Sequence, residues 1–171
     1  MNLTKYLETE GKQETVSISY GGDGILCGSR RYALVSPFSM ELVLDQEEKD
    51  SVTVSGTAEM VLQAECDRCL SLVEIRVPIR IMERFTQEEI AAGDPDGEHY
   101  YLEGYELDTD RMIEDAAQTE FPVKILCRED CKGICMICGH NLNEGECGCD
   151  RFVPDPRMAA IGDLFAATKS K

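Results

Sequence analysis

Eight of the nine cysteines in this 171-residue chain fall at spacings that suit metal ligation. Cys66 and Cys69 form an isolated C-x-x-C pair in mid-chain, and Cys127, Cys131, Cys135, Cys138, Cys147 and Cys149 follow in one dense run. Thiolates so spaced can converge from tight turns on a single tetrahedral ion, which is the chemistry of structural zinc. In Cys135-Met-Ile-Cys138 two residues separate the thiolates, and Gly139 lets the backbone turn sharply just beyond them. Nine residues on, Cys147-Gly148-Cys149 offers two more thiolates and completes one set of four. Cys66 and Cys69 then take Cys127 and Cys131 as partners, so the preferred reading expects two structural zinc ions. The first would staple a mid-chain turn to a distant segment and couple metal binding to folding. A second grouping, with Cys131, Cys135 and Cys138 in one site and a different partner, is equally open on spacing. Four thiolates carry excess negative charge, and Arg68, Arg128, Lys132 and His140 are placed in sequence to soften it.

The elements that must position these thiols are mostly strands. Val52, Val54, Ala58, Met60, Leu62 and Ala64 occupy alternate positions, with Gly56 as a candidate bulge, and Val73, Ile75, Val77, Ile79 and Ile81 alternate equally well. Two such runs about the Cys66–Cys69 turn predict a long antiparallel hairpin. Upstream, residues 14–20, 32–35 and 40–44 read as strands, and Gly21-Gly22-Asp23-Gly24 as a turn. Residues 86–99 are acidic and rich in turn formers and read as a loop, with an edge strand in 100–107. A helix is expected from Thr109 to Phe121, capped by Asp108 or Thr109 and stopped by Pro122, with Met112, Ile113, Ala116 and Ala117 inward. A second helix would open at Asp155-Pro156 and bury Met158, Ile161, Leu164 and Phe165. The fold class is therefore α+β, mainly antiparallel β as a curved sheet or partial barrel, with one or two short helices and a C-terminal zinc-knuckle segment. A β-rich domain is expected over 1–121 and a cysteine-rich segment over 122–171.

Other cysteine chemistries fit less well. The first ten residues lack the apolar core of a secretory signal, and the odd cysteine count does not suit a disulfide framework, so reduced thiols in the cytoplasm are expected. No stretch is apolar enough to span a bilayer. A redox C-x-x-C should open a helix after a strand, whereas Cys66 and Cys69 lie between strands. Catalytic zinc commonly uses His or carboxylate ligands and keeps one position open. The two histidines are His99, in the acidic loop and read as solvated, and His140, read as supporting the cysteines. Cys27 reads as a small buried residue. No catalytic residues emerge, and the expectation is not an enzyme.

Charge narrows the partners. With 33 acidic against 17 basic residues, the formal charge is −16. Much of that serves solubility. Nucleic-acid binding needs Lys and Arg against phosphate, so RNA contact would require Arg30, Arg31, Lys124, Arg128 and Lys132 to gather on one face. A basic protein is the partner that the charge favours.

Glu65-Cys-Asp-Arg-Cys-Leu70, Phe121-Pro122, the run from Cys127 to Asn143, Cys147-Gly-Cys149 and Asp155-Pro-Arg157 occur in that order. This combination resembles the YceD family, the large ribosomal RNA subunit accumulation proteins of bacteria and plastids, from about Val52 onward. Asn2-Leu-Thr-Lys-Tyr-Leu7 is similar to the family's opening segment. Met136 departs from it, standing where many relatives have proline. The resemblance implies a role in accumulation or processing of large-subunit (23S) ribosomal RNA. It also implies a gene commonly neighbouring that of a small zinc-ribbon ribosomal protein. Joined to the charge, it points to docking on a basic ribosomal protein or a precursor of the large subunit. The alternatives are a zinc knuckle contacting RNA directly through residues 127–149 and, more weakly, a thiol-redox protein.

Overall fold

The computed structural model describes residues 1–7, 11–46, 50–92 and 100–150. In chain order these form α1 (Thr4–Leu7), β1 (Gln13–Ser19), β2 (Gly24–Cys27), β3 (Arg30–Leu34), β4 (Ser39–Asp45), β5 (Ser51–Glu65) and β6 (Leu72–Thr86). There follow α2 (Gln87–Ala92), β7 (Leu102–Glu103), β8 (Glu106–Leu107) and α3 (Thr109–Thr119). The architecture is a mainly antiparallel sheet with few short helices, as expected, and among the described residues the sheet does not close into a barrel. Its strand order is β1-β4-β5-β3-β2, with β6 on the other edge of β5.

The β5–β6 hairpin is the spine. Its ladder runs unbroken from Ser51↔Thr86 to Glu65↔Leu72. Strict alternation turns Val52, Val54, Met60 and Leu62 inward on β5, and Val77, Ile79 and Ile81 inward on β6, all buried. Each such side chain contributes about 1.5–3 kcal/mol of burial. Met40, Leu42 and Leu44 of β4, Met112, Ile113 and Ala117 of α3, and Leu3 and Tyr6 of the N-terminus complete the core. The long hairpin thus holds its far end, the turn with Cys66 and Cys69, at a fixed place.

Gly56 is not a bulge: it pairs in register with Ile81. A Cβ there would lie 2.7 Å from the Glu41 carbonyl oxygen and 2.8 Å from Leu42 Cδ2, so glycine is required because β4 presses onto β5. Beyond this point the free edge of β5 passes from β4, paired as far as Ser55, to β3, paired at Leu62 and Gln63.

Three further expectations are corrected. Residues 87–92 are the helix α2 rather than loop, because Thr86 and Glu89 form a capping box. The Glu89 N–H donates to Thr86 Oγ1 at 3.2 Å, and the Thr86 N–H donates to Glu89 Oε2 at 2.9 Å. The segment 100–107 does not join the main sheet as an edge strand; β7 and β8 pair with each other about Gly104, at φ 58°. The helix α3 stops at Thr119, with Asp108 as its N-cap, leaving Phe121 to stack on Tyr32 at 4.6 Å between ring centroids. The expected helix after Asp155 lies outside the described residues, as does His99.

Candidate metal centres

The turn between β5 and β6 is shaped by its own backbone. The Leu70 N–H donates to the Cys66 carbonyl and the Cys66 N–H to the Ser71 carbonyl, each at 2.9 Å. Leu70 accepts a left-handed conformation, φ 60°, to close it. The segment after α3 is stitched onto this turn. Asp67 donates its N–H to the Ile125 carbonyl at 2.8 Å, and its carboxylate accepts the Ile125 N–H at 2.7 Å. The Ile134 N–H donates to the Arg68 carbonyl at 3.1 Å, and Arg68 Nη1 donates to the Cys131 carbonyl at 2.8 Å. Cys66, Cys69, Cys127 and Cys131 are thereby gathered with all four sulfurs within 4.8 Å of one another. Cys127 is exposed and the other three are buried.

The second group lies on a short hairpin closed by an Ile134↔Asn141 bridge. The Cys135 N–H donates to the His140 carbonyl, and the Gly139 N–H to the Cys135 carbonyl, both at 2.8 Å. Gly139 is left-handed at φ 73°, and Gly148, between Cys147 and Cys149, at φ 69°. Cys135, Cys138, Cys147 and Cys149 also lie with their sulfurs within 4.8 Å of one another. Here only Cys135 is buried, and Cys138 is exposed.

Each quartet could hold a metal ion. Sulfurs set about 2.3 Å from a tetrahedral zinc stand about 3.8 Å apart. The Cys66–Cys131 and Cys69–Cys127 sulfur separations are 3.8 Å and 3.6 Å. Electrostatics point the same way. Burial acts to raise the Cys66 thiol, but the N–H groups of Arg68, Cys69 and Cys127 and the Cys69 thiol act together against it and bring it down to about 6. Cys127, donating to Cys131 and partly desolvated, is pushed up to about 12. The N–H groups of Cys138 and Ile137 bring Cys135 down to about 6, while donation to Cys138 and Cys147 pushes Cys149 up to about 12. Within each quartet one thiol ionises readily and another is held protonated, because adjacent thiolates repel. A divalent cation would remove that conflict.

Of the two groupings that spacing left open, the geometry places Cys131 with Cys66, Cys69 and Cys127. The supporting cations act otherwise than expected. Arg68 reaches a carbonyl and not a sulfur, Arg128 bonds Asn143 Oδ1 at 2.8 Å, and His140 supplies its backbone carbonyl. The side chain that donates to a cluster sulfur from outside, among the described residues, is Asn143. Its Nδ2 lies 3.3 Å from Cys131 Sγ. Its Oδ1 accepts from the Lys132 N–H at 2.8 Å. Burial would raise the Cys131 thiol; this amide and the Gly133 N–H lead the contacts that lower it. Sequence reasoning missed Asn143, and an Asn at either end of Asn141-Leu-Asn143 beside a cysteine run was the available signal. Cys27 lies apart on β2, half-buried, with burial raising its thiol.

The cations that one RNA-binding face would need are partly engaged. Arg30 pairs with Glu65 at 3.8 Å, Arg31 with Asp23, and Arg128 with Asp130 at 3.4 Å. No helix among the described residues is long and apolar enough to cross a membrane.

Fold and site together define a small antiparallel-sheet protein that carries two cysteine quartets on adjoining turns. Residues 54–165 match the family described as large ribosomal RNA subunit accumulation protein YceD, well over half of the chain. The chain belongs to that family. An uncharacterized protein of Mycobacterium leprae is 31% identical over 140 residues, 77% of this chain and 60% of the relative. One of Mycobacterium tuberculosis is 32% identical over 118 residues, 68% of this chain and 56% of the relative. The chain thus spans 60% or less of the length of these relatives. The chloroplastic large ribosomal RNA subunit accumulation protein YCED homolog 1 of Arabidopsis thaliana is 35% identical over 73 residues, 43% of this chain and 23% of the relative. No solved structure matches the chain.

Proposed function

We propose that this protein is a non-enzymatic factor of ribosome assembly in the cytoplasm, supporting accumulation or processing of large-subunit ribosomal RNA. It does so by docking on a basic ribosomal protein or on the precursor particle. The observation that carries the role is the family match over 54–165, a span that contains both cysteine quartets and most of the hairpin leading to them. Zinc is the proposed ion at each quartet, ligated by Cys66, Cys69, Cys127 and Cys131 and by Cys135, Cys138, Cys147 and Cys149. Four thiolates fill a tetrahedral ion and leave no position for substrate, so both ions are structural. The docking mode follows from charge: a surface at −16 attracts a basic protein and repels phosphate.

The test is affinity capture of the tagged protein from its own cells, with and without RNase, reading both proteins and RNA. Large-subunit proteins that stay bound after RNase support the proposal. Recovery of large-subunit RNA alone, abolished by RNase, would replace it with direct RNA contact through the knuckles.

A further inference from the structure

The turns that carry the cysteines also carry exposed aliphatic side chains that, among the described residues, no element covers. Leu70 and Leu72 follow the first knuckle's second cysteine at 58% and 65% exposure, and Met136 and Ile137 lie between the cysteines of the second at 92% and 56%. They share one locality. Ser71, between the two leucines, lies 3.4 Å from Asn141 Nδ2, and Asn141 bridges Ile134 at the base of the hairpin whose tip holds Met136 and Ile137. The knuckles do not need these side chains. Their shape is set by backbone bonds from Leu70 to Cys66 and from Gly139 to Cys135. Single exposed apolar residues are ordinary, but four on adjoining, backbone-bonded turns mark a surface that another molecule covers.

The chemistry around them selects the occupant. Single-stranded RNA is held by aromatic stacking and by cations on phosphate. Residues 122–150 contain no Phe, Tyr or Trp. The nearby arginines are engaged, Arg68 with the Cys131 carbonyl, Arg128 with Asp130 and Asn143, and Arg30 with Glu65, which leaves Lys124 and Lys132 as the exposed cations of this region. A second copy of the chain would bring two surfaces of charge −16 together. A basic protein suits both features, with an apolar spot against the knuckle tips and Lys or Arg against exposed carboxylates such as Glu129 and Glu146, which lie close to quartet cysteines in sequence. We infer that Leu70, Leu72, Met136 and Ile137 form the apolar anchor of a docking surface for a basic protein. This rests on the protein-docking reading above and names its surface.

The experiment uses the full chain, immobilised, with protein extracted free of RNA from large ribosomal subunits of the same cells as the probe. Wild type is compared with the double variant Met136→Ser, Ile137→Ser, with Leu72→Ser, and with Met82→Ser. Met82 is 80% exposed on β6, away from the knuckles, and serves as control. Metal content and melting temperature of each variant are measured alongside. Wild type and Met82→Ser should retain the same basic proteins. The double variant should retain them at least tenfold more weakly with unchanged metal content, and Leu72→Ser several-fold more weakly. Equal retention by the double variant and Leu72→Ser overturns the surface and leaves the docking reading standing. If wild type retains no large-subunit protein, both fall. If the same substitutions instead abolish RNA binding, or a dimer seen in sedimentation, the occupant is another and the inference is overturned.

Discussion

At Cys66 and at Cys135 the same backbone is reached with different residues. In each knuckle the amides of the second intervening residue and of the second cysteine point at the first sulfur: Arg68 and Cys69 in one, Ile137 and Cys138 in the other. In each, the residue after the second cysteine is left-handed and donates to the first cysteine's carbonyl, Leu70 at 2.9 Å and Gly139 at 2.8 Å. Their attachments differ. The first quartet joins a hairpin turn to a segment some 60 residues away, Cys66 meeting Cys131 across a separation of 65 and Cys69 meeting Cys127 across 58. The second quartet joins Cys135 and Cys138 to thiols within the next few turns and leaves Cys138 exposed. One knuckle belongs to the fold; the other is a local loop resting on it through Asn143 and the Leu142 N–H, which donates to the Gly133 carbonyl at 2.9 Å.

This difference orders the expected effects. The largest should come from Cys66→Ser. Closing a loop of some 60 residues is worth about 4 kcal/mol by the entropy relation for a covalent crosslink, against about 3 for a loop of ten. That is a large share of the roughly 5–15 kcal/mol that holds a domain together. With an ion in each quartet as proposed, and because the second knuckle rests on Cys131 through Asn143, Cys66→Ser should lower the metal content of both quartets and broaden the thermal transition. Cys138→Ser should instead remove one metal and leave the β5–β6 amides as protected from hydrogen exchange as in wild type. Collapse of the sheet in Cys138→Ser would break the comparison. A chelator should resolve the same asymmetry without mutation, releasing one ion per chain fast from the second quartet, where only Cys135 is buried, and the other slowly from the first, where three cysteines are buried. A single release phase would mean that the two clusters open together.

The strands around this site were legible because burial on one face imposes strict alternation, as from Val73 to Ile81. The helix α2 was not, since the acidic run after Thr86 reads as loop unless Thr86-Gln-Glu-Glu89 is taken as a capping box. The N-terminal α1 was also passed over, although Leu3, Tyr6 and Leu7 stand at helical spacing and all are buried. The cysteine grouping was half legible. Spacing gave the pairs, but the membership of Cys131 depends on Gly133. At φ 78°, with a Cβ position 3.1 Å from the Arg68 carbonyl oxygen, Gly133 turns the chain between Cys131 and Cys135 so that they face different quartets. That contact is tertiary, as is the reach of Asn143 to Cys131; the asparagines beside the cysteine run point to a supporting residue but not to which sulfur it serves.

Asn143→Ala is the next expected effect. It removes a donor to the Cys131 sulfur together with an acceptor serving Arg128 and the Lys132 N–H, and should cost about 1–3 kcal/mol, as leaving a buried polar partner unsatisfied does. If Asn143 couples the clusters, the slow metal should be released faster in this variant. Asn143→Asp keeps the acceptor and loses the donor, so it should speed release of the slow metal while sparing the loop around Lys132. An unchanged slow phase in both variants would assign Asn143 to loop packing alone.

The smallest expected effect bears most directly on the shared backbone. A left-handed conformation costs a residue with a Cβ roughly 1–2 kcal/mol, and Gly139 is free of that cost while Leu70 carries it. Leu70→Gly should therefore stabilise the first knuckle by up to about 1 kcal/mol, less what glycine returns to the unfolded chain. Gly139→Ala should weaken the second by about the same amount. Urea midpoints and metal retention check both. If Leu70→Gly gains stability yet loses the basic partner, Leu70 is kept for contact at the expense of its turn. If it loses stability, the side chain supports the turn in a way that Gly139 shows the backbone does not require, and the two knuckles are less alike than their dihedral angles.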